Sequence, residues 1–215
     1  MPLRWFLLAL VGCSAEKAPP DKSPEPARAQ PVDENAPVVS SPEIDREVAR
    51  ILEIARAATS AATEVCKEGT KGPRYLPTIT LDGLEALANK QPLPPSASLS
   101  SLALYGDLQH YRAGTLARSS ERRVVDQLQK LRKMKQLGVY EVKTFSEGDA
   151  NVEGQFDARL VLIDMGAAKP ICHVPLSIKL KRDEPDPSDP HDKPRTFASK
   201  IRAEVDGTLG TLFGD

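Results

Sequence analysis

From Ser14 to Glu43 the chain has no Leu, Ile, Met or aromatic residue, only three valines among seven prolines, alanines and mixed charges. Such a stretch cannot bury enough apolar surface to offset its ordering entropy. Its composition predicts a disordered segment with polyproline II character. Thirty residues of this kind reach on the order of 30 Å as a coil, and at most about 90 Å fully extended as polyproline II. Any core must therefore be built from the roughly 170 residues that follow, enough for one domain and too few for two. The expected division is 1–12 as a signal, 13–42 as a tether and 43–215 as a single globular domain.

The signal assignment rests on the first thirteen residues. Arg4 precedes an unbroken apolar run, Trp5 to Gly12, which is the order of a secretory signal. The run is far shorter than the roughly 20 residues that span a bilayer as a helix. It ends in Leu10-Val11-Gly12-Cys13, which resembles the lipobox of bacterial lipoproteins. That resemblance implies cleavage before Cys13, a diacylglycerol on its thiol, an acylated new amino terminus and residence in the cell envelope. Two or three acyl chains give durable membrane residence where one is marginal. Ser14 stands where lipoproteins retained in the inner membrane carry aspartate, so the resemblance implies the outer membrane, facing the periplasm.

Within the domain, Ser41-Pro42-Glu43 reads as a helix start, with a serine cap, proline at the first helical position and acids in the first turn. Ile44, Val48, Ile51, Ala55, Ala58, Ala62 and Val65 recur at helical spacing, predicting a helix to about Cys66. Asp82-Gly83-Leu84-Glu85 predicts a short helix to about Asn89, Gln91 to Ser98 a proline-rich loop, and Ser98 to Arg112 a further helix. Ser119 to Leu137 reads as a helix capped by Ser119 or Ser120 and stopped by Gly138, with Val124, Leu128, Leu131 and Met134 on one face. Three strands follow, at 139–146, 154–164 and 171–181. In the last, Cys172, Val174, Leu176, Ile178 and Leu180 alternate with His173, Ser177, Lys179 and Lys181, the pattern of a sheet with one buried face. Short connections predict an antiparallel meander. Pro175 cannot donate to a ladder, which places its strand at an edge or at a bulge. Phe197, Ile201, Val205 and Leu209 predict a closing helix. The expected fold class is α+β, helices packed on one face of a small antiparallel sheet of about three strands.

With Cys13 lipidated, Cys66 and Cys172 remain, both predicted to point into one core. In an oxidising compartment such a pair joins, and the expectation is a disulfide. A catalytic thiol would need an exposed, electropositive site, the opposite of these positions. His110, His173 and His191 lack metal-ligand spacing. The segment from Asp183 to Asp192 collects five carboxylates and a histidine, but it has neither the turn glycine nor the closing glutamate of an EF-hand, and its three prolines read as a solvated loop. Neither a metal site nor a cofactor is expected.

No nucleophile elbow, P-loop, dinucleotide fingerprint or zinc-protease helix occurs. The net charge of −1 gives no global attraction to nucleic acid, and no nucleic-acid partner is expected. The most informative surface is the helix beginning near residue 118. Arg118, Arg122, Arg123, Lys130 and Lys133 lie opposite its apolar stripe, with Arg132 and Lys135 nearby and Glu121 and Asp126 as partial partners. It reads either as a solvated face or as a contact for anionic lipid or an acidic partner. The expected function is that of a lipid-anchored envelope module that binds another protein, peptidoglycan or lipid without catalysis. The alternatives are a hydrolase whose carboxylates converge in the fold, such as Asp157 or Asp164 with Glu141, and a metal-binding accessory protein using the 183–192 loop. The sequence carries no statement of oligomeric state.

Overall fold

The computed structural model describes residues 33–70, 76–100, 104–148, 152–181 and 196–213. Cys13, the expected tether up to residue 32 and the acidic segment with His191, expected as a loop, lie outside the described residues.

The first helix, α1 (Pro42–Ala61), starts as its sequence dictates. Ser41 is extended and its side chain accepts from the Ile44 N–H, Pro42 opens the first turn, and Glu43 and Asp45 face the positive end of the dipole. Ile44, Val48, Ile51, Ala55 and Ala58 are buried. The predicted continuation to Cys66 does not form. Residues 62–66 peel away, because Glu64 O accepts from His173 N at 2.8 Å and Cys66 N donates to His173 O at 2.9 Å. Two sheet-type bonds on a distant strand outcompete one more helical turn.

A short strand, β1 (Thr78–Thr80), leads into α2 (Leu81–Ala88). The α2 cap is Thr80, whose side chain accepts from Gly83 N, rather than Asp82. A 3-10 turn (Pro95–Leu99), α3 (Leu104–Arg112) and α4 (Arg118–Arg132) follow. Helix α4 stops five residues short of the predicted end, since Leu137 and Val139 are claimed by the sheet core. Gly138, predicted as the helix stop, lies inside a strand. A Cβ there would stand 2.9 Å from Leu76 Cδ2 and 3.0 Å from Thr78 Cγ2, so its lack of a side chain lets β1 approach.

The sheet consists of β1, β2 (Gln136–Ser146), β3 (Gly154–Asp164) and β4 (Lys169–Leu180) in that order. β1 runs parallel to β2, and β2 to β4 form the expected antiparallel meander. The fold is α+β with a four-stranded mixed sheet. The fourth strand escaped the sequence reading because three residues show no alternation.

Alternation along β3 divides the core. Val161 and Ile163 join the side chains of α1 to α4 on one face. Phe156, Ala158, Leu160 and Leu162 join Tyr140, Cys172, Val174 and Leu176 on the other. That second face is covered by α5 (Phe197–Phe213), through Phe197, Ile201, Val205 and Leu209. Tyr140, Phe156, Phe145 and Phe197 form a chain of edge-to-face contacts at 5.5 to 6.3 Å between centroids. Helices thus pack on one face from α1 to α4, and α5 closes the other.

β4 is an edge strand, as Pro175 requires. His173 directs its main-chain groups outward to the 64–66 segment. Alternation places Pro175 in the same outward set, where its missing N–H deprives β3 of nothing.

The folded part begins before residue 43. Val38 is only 4% exposed, and its N–H donates to Leu116 O at 2.7 Å. Pro37 forms a bridge with Ala117. The last residues of the stretch assigned to the tether thus lie against α4.

Candidate functional site: the basic face of α4

Helix α4 is amphipathic because Val124, Leu128 and Leu131 recur at four- and three-residue spacing, and all three are buried. Turning these inward presents Arg118, Arg122, Arg123, Lys130 and Lys133 to solvent. Residues 118–135 carry seven cations against two acids, Glu121 and Asp126.

The cations are not equivalent. Arg132 reaches inward, its Nε 3.1 Å from Glu47 Oε2 in an ion pair that lies off the hydrogen-bond line. Glu47 is 5% exposed and is held on its other oxygen by Arg50 at 2.9 Å. Two guanidiniums thus neutralise a carboxylate buried under α1, as burial of a charge demands. Arg123 pairs with Asp107 of α3 at 2.9 Å and Arg122 with Asp126 one turn on at 3.2 Å. Both arginines stay largely exposed, at 57% and 81% of the side chain, where such pairs neutralise little. Arg118, Lys130, Lys133 and Lys135 are exposed and form no ion pair among the described residues. The result is a cationic strip along the outer side of the helix.

The start of that helix is unusual. Its cap position is Ala117, with no side-chain cap. The first N–H groups are satisfied instead by the incoming chain, Arg118 N to Ala36 O and Ser119 N to Glu34 O, each at 3.0 Å. Ser119 and Ser120, the expected caps, lie within the first turn. The only sequence trace of this docking was the pair Val38-Val39 in an otherwise polar stretch.

Other candidates are engaged elsewhere. The sulfurs of Cys66 and Cys172 stand 2.06 Å apart, a disulfide distance, which joins the segment after α1 to the edge strand. Arg159 binds Glu141 at 2.7 Å and donates to Thr59 O and Ala62 O at 2.8 and 3.0 Å. It thereby caps the end of α1 with positive charge. Asp157 accepts from Ser177 Oγ and Gln155 Nε2, and these bonds, with Lys179 and Lys143 nearby, hold its carboxyl below the usual range. Asp164 accepts from Gly166 N and Ala167 N, both at 2.9 Å, in the β3–β4 turn. Glu141 is thus committed to Arg159, Asp157 to its neighbours on the sheet and Asp164 to the turn. His110 Nδ1 lies 3.0 Å from Thr115 Oγ1. His173 is on the face opposite Cys172, half buried, with Nδ1 unpartnered. No group of three or more metal-ligating side chains occurs among the described residues.

An apolar cleft lies between α2, the 3-10 turn and α3, lined by Ile79, Leu87, Leu93, Ala97, Leu104 and Leu108. Only about 10 Å³ within it can take the centre of a water molecule, room for roughly one water.

No family model, curated protein or solved structure matches the chain.

Proposed function

We propose that this chain is a lipid-anchored envelope protein whose folded domain works by binding, with the outer face of α4 as its contact surface. The observation that carries this reading is the cationic strip of Arg118, Arg122, Arg123, Lys130 and Lys133, exposed along one helix face and short of acidic partners. A strip of this kind attracts anionic surfaces and steers encounter with them. The anchor part of the reading rests on Leu10-Val11-Gly12-Cys13 and its resemblance to the lipobox. Supporting the binding part, Glu141, Asp157 and Asp164 are occupied with structural hydrogen bonds, and the apolar cleft is of single-water size.

A photo-crosslinking residue at Lys133 provides the test in intact envelopes. The expected result is adduct formation from Lys133 and none from Ser177, which is exposed on β4. Equal labelling at both positions, or none at either, would overturn the assignment of α4 as the contact face.

A further inference from the structure

We infer that the basic face of α4 binds the anionic headgroups of the same membrane that carries the lipid anchor, laying the domain down on that membrane. This deepens the proposed function and rests on its lipid anchor. The first ground is where the tether joins the fold. Glu34 O and Ala36 O occupy the N-terminal end of α4 by bonding Ser119 N and Arg118 N. The anchored end of the chain therefore enters the domain beside the first residues of the cationic strip.

The second ground is length. Twenty residues, Cys13 to Val32, separate the anchored thiol from the described domain, and a coil of that length would reach about 25 Å. Helix α4 has 15 residues, which at the α-helical rise is about 22 Å. The tether therefore lets the whole helix lie along the surface that holds the anchor. It also holds headgroups near that face at high effective concentration.

The third ground is chemistry. The apolar stripe of α4 is consumed by the core, with Val124 and Leu128 fully buried, so the helix has no apolar face left to insert. What it offers is Arg118, Lys130, Lys133 and Lys135, which form no ion pair among the described residues, with exposed Arg122 and Arg123. Such a face binds by charge at the headgroup level and is screened by salt. An acidic protein would also satisfy the charge, but a lipid on Cys13 would put anionic headgroups within the span of those twenty residues, which favours the membrane.

The test uses the full chain carrying Cys13→Ser, so that no lipid contributes. Vesicles of phosphatidylcholine alone are compared with vesicles that also contain phosphatidylglycerol. The expected result is sedimentation with the anionic vesicles only, reversed by raised salt. Association through residues 1–12, which carry the amino terminus and Arg4, would persist in the α4 variants and so be told apart. Arg122→Glu with Lys130→Glu and Lys133→Glu should weaken the anionic binding by about a hundredfold or more, since each surface cation contributes about fivefold, three multiply to roughly a hundredfold, and reversing the charge adds repulsion. Lys143→Glu with Lys179→Glu, on the sheet, should change it less than about threefold. Unchanged thermal midpoints show that both variants fold. Absence of phosphatidylglycerol-dependent binding at low salt, or binding indifferent to the α4 substitutions, would overturn the inference. Failure here alongside face-specific crosslinking from Lys133 would leave α4 as a contact surface and remove only the lipid assignment.

Discussion

Arg159 donates to two carbonyls at the end of α1 and to Glu141, so one side chain ends a helix and ties it to the sheet. Arg159→Ala should lower stability by about 2 kcal/mol, because two part-buried carbonyls lose a charged donor and the helix end loses its compensating charge. Glu141→Gln keeps those carbonyl bonds and should cost less than about 1 kcal/mol. Urea denaturation of the two variants separates them; equal losses would mean that the ion pair, not the cap, carries the effect. Asp157 gives a titration to measure. Its carboxyl is held below its ordinary value mainly by Ser177, then Gln155. A depressed native value means that its contribution is present above the unfolded carboxylate range and is lost as pH falls through the native value. Ser177→Ala should raise the Asp157 midpoint seen by carboxyl NMR, and an unmoved midpoint would show that the lysines dominate.

At the scale of elements, the segment 33–41 behaves as part of the domain, and Val38 is its buried side chain. Val38→Ala should cost about 2 kcal/mol, while Val39→Ala, at a position 83% exposed, should cost less than about 0.5 kcal/mol. Thermal unfolding of the pair checks this, and equal small losses would mean that the segment is dispensable. A second expectation concerns the tie between the α1 extension and β4. Cys66 and Cys172 are 106 residues apart, and replacing both with serine should cost about 4 to 5 kcal/mol in the chain-entropy model. Wild type under reducing conditions should lose most of that stability, and the double serine variant somewhat more, because buried hydroxyls replace two thiols. The elements read well from sequence were those with long, uninterrupted periods: α1 from its Ser41 cap, α4 from its stripe, and β4 from its alternation. The misread points are those where distant chain segments intervene. Glu64 and Cys66 left the α1 pattern for His173, Gly138 took its role from the nearness of β1, and the α4 cap came from carbonyls about 80 residues upstream. No local pattern encodes such partners.

For the whole molecule, the cationic strip was legible because a helical period places Arg118, Arg122, Lys130 and Lys133 opposite buried Val124, Leu128 and Leu131. Its position beside the tether entry was not, since that depends on Ala36 and Glu34 meeting α4 in three dimensions. Among the described residues no helix is long and apolar enough to cross a membrane. The proposed membrane residence draws on the lipid proposed on Cys13 and on surface charge, and salt distinguishes the two. An acyl anchor is held by burial of methylenes, each contributing about 0.8 kcal/mol, which salt does not weaken. Headgroup contacts by Lys130, Lys133 and Arg122 are screened within a Debye length of about 3 Å at 1 M salt. Wild-type protein should therefore stay in the membrane fraction through a high-salt wash. Cys13→Ser protein should be retained in part at low salt and released at high salt, with an unchanged thermal midpoint for the domain. The α4 charge reversals added to Cys13→Ser should abolish even the low-salt retention. Wild-type protein that leaves the membrane in the high-salt wash would refute the anchor, because an attachment released by salt is held by charge and not by buried methylenes.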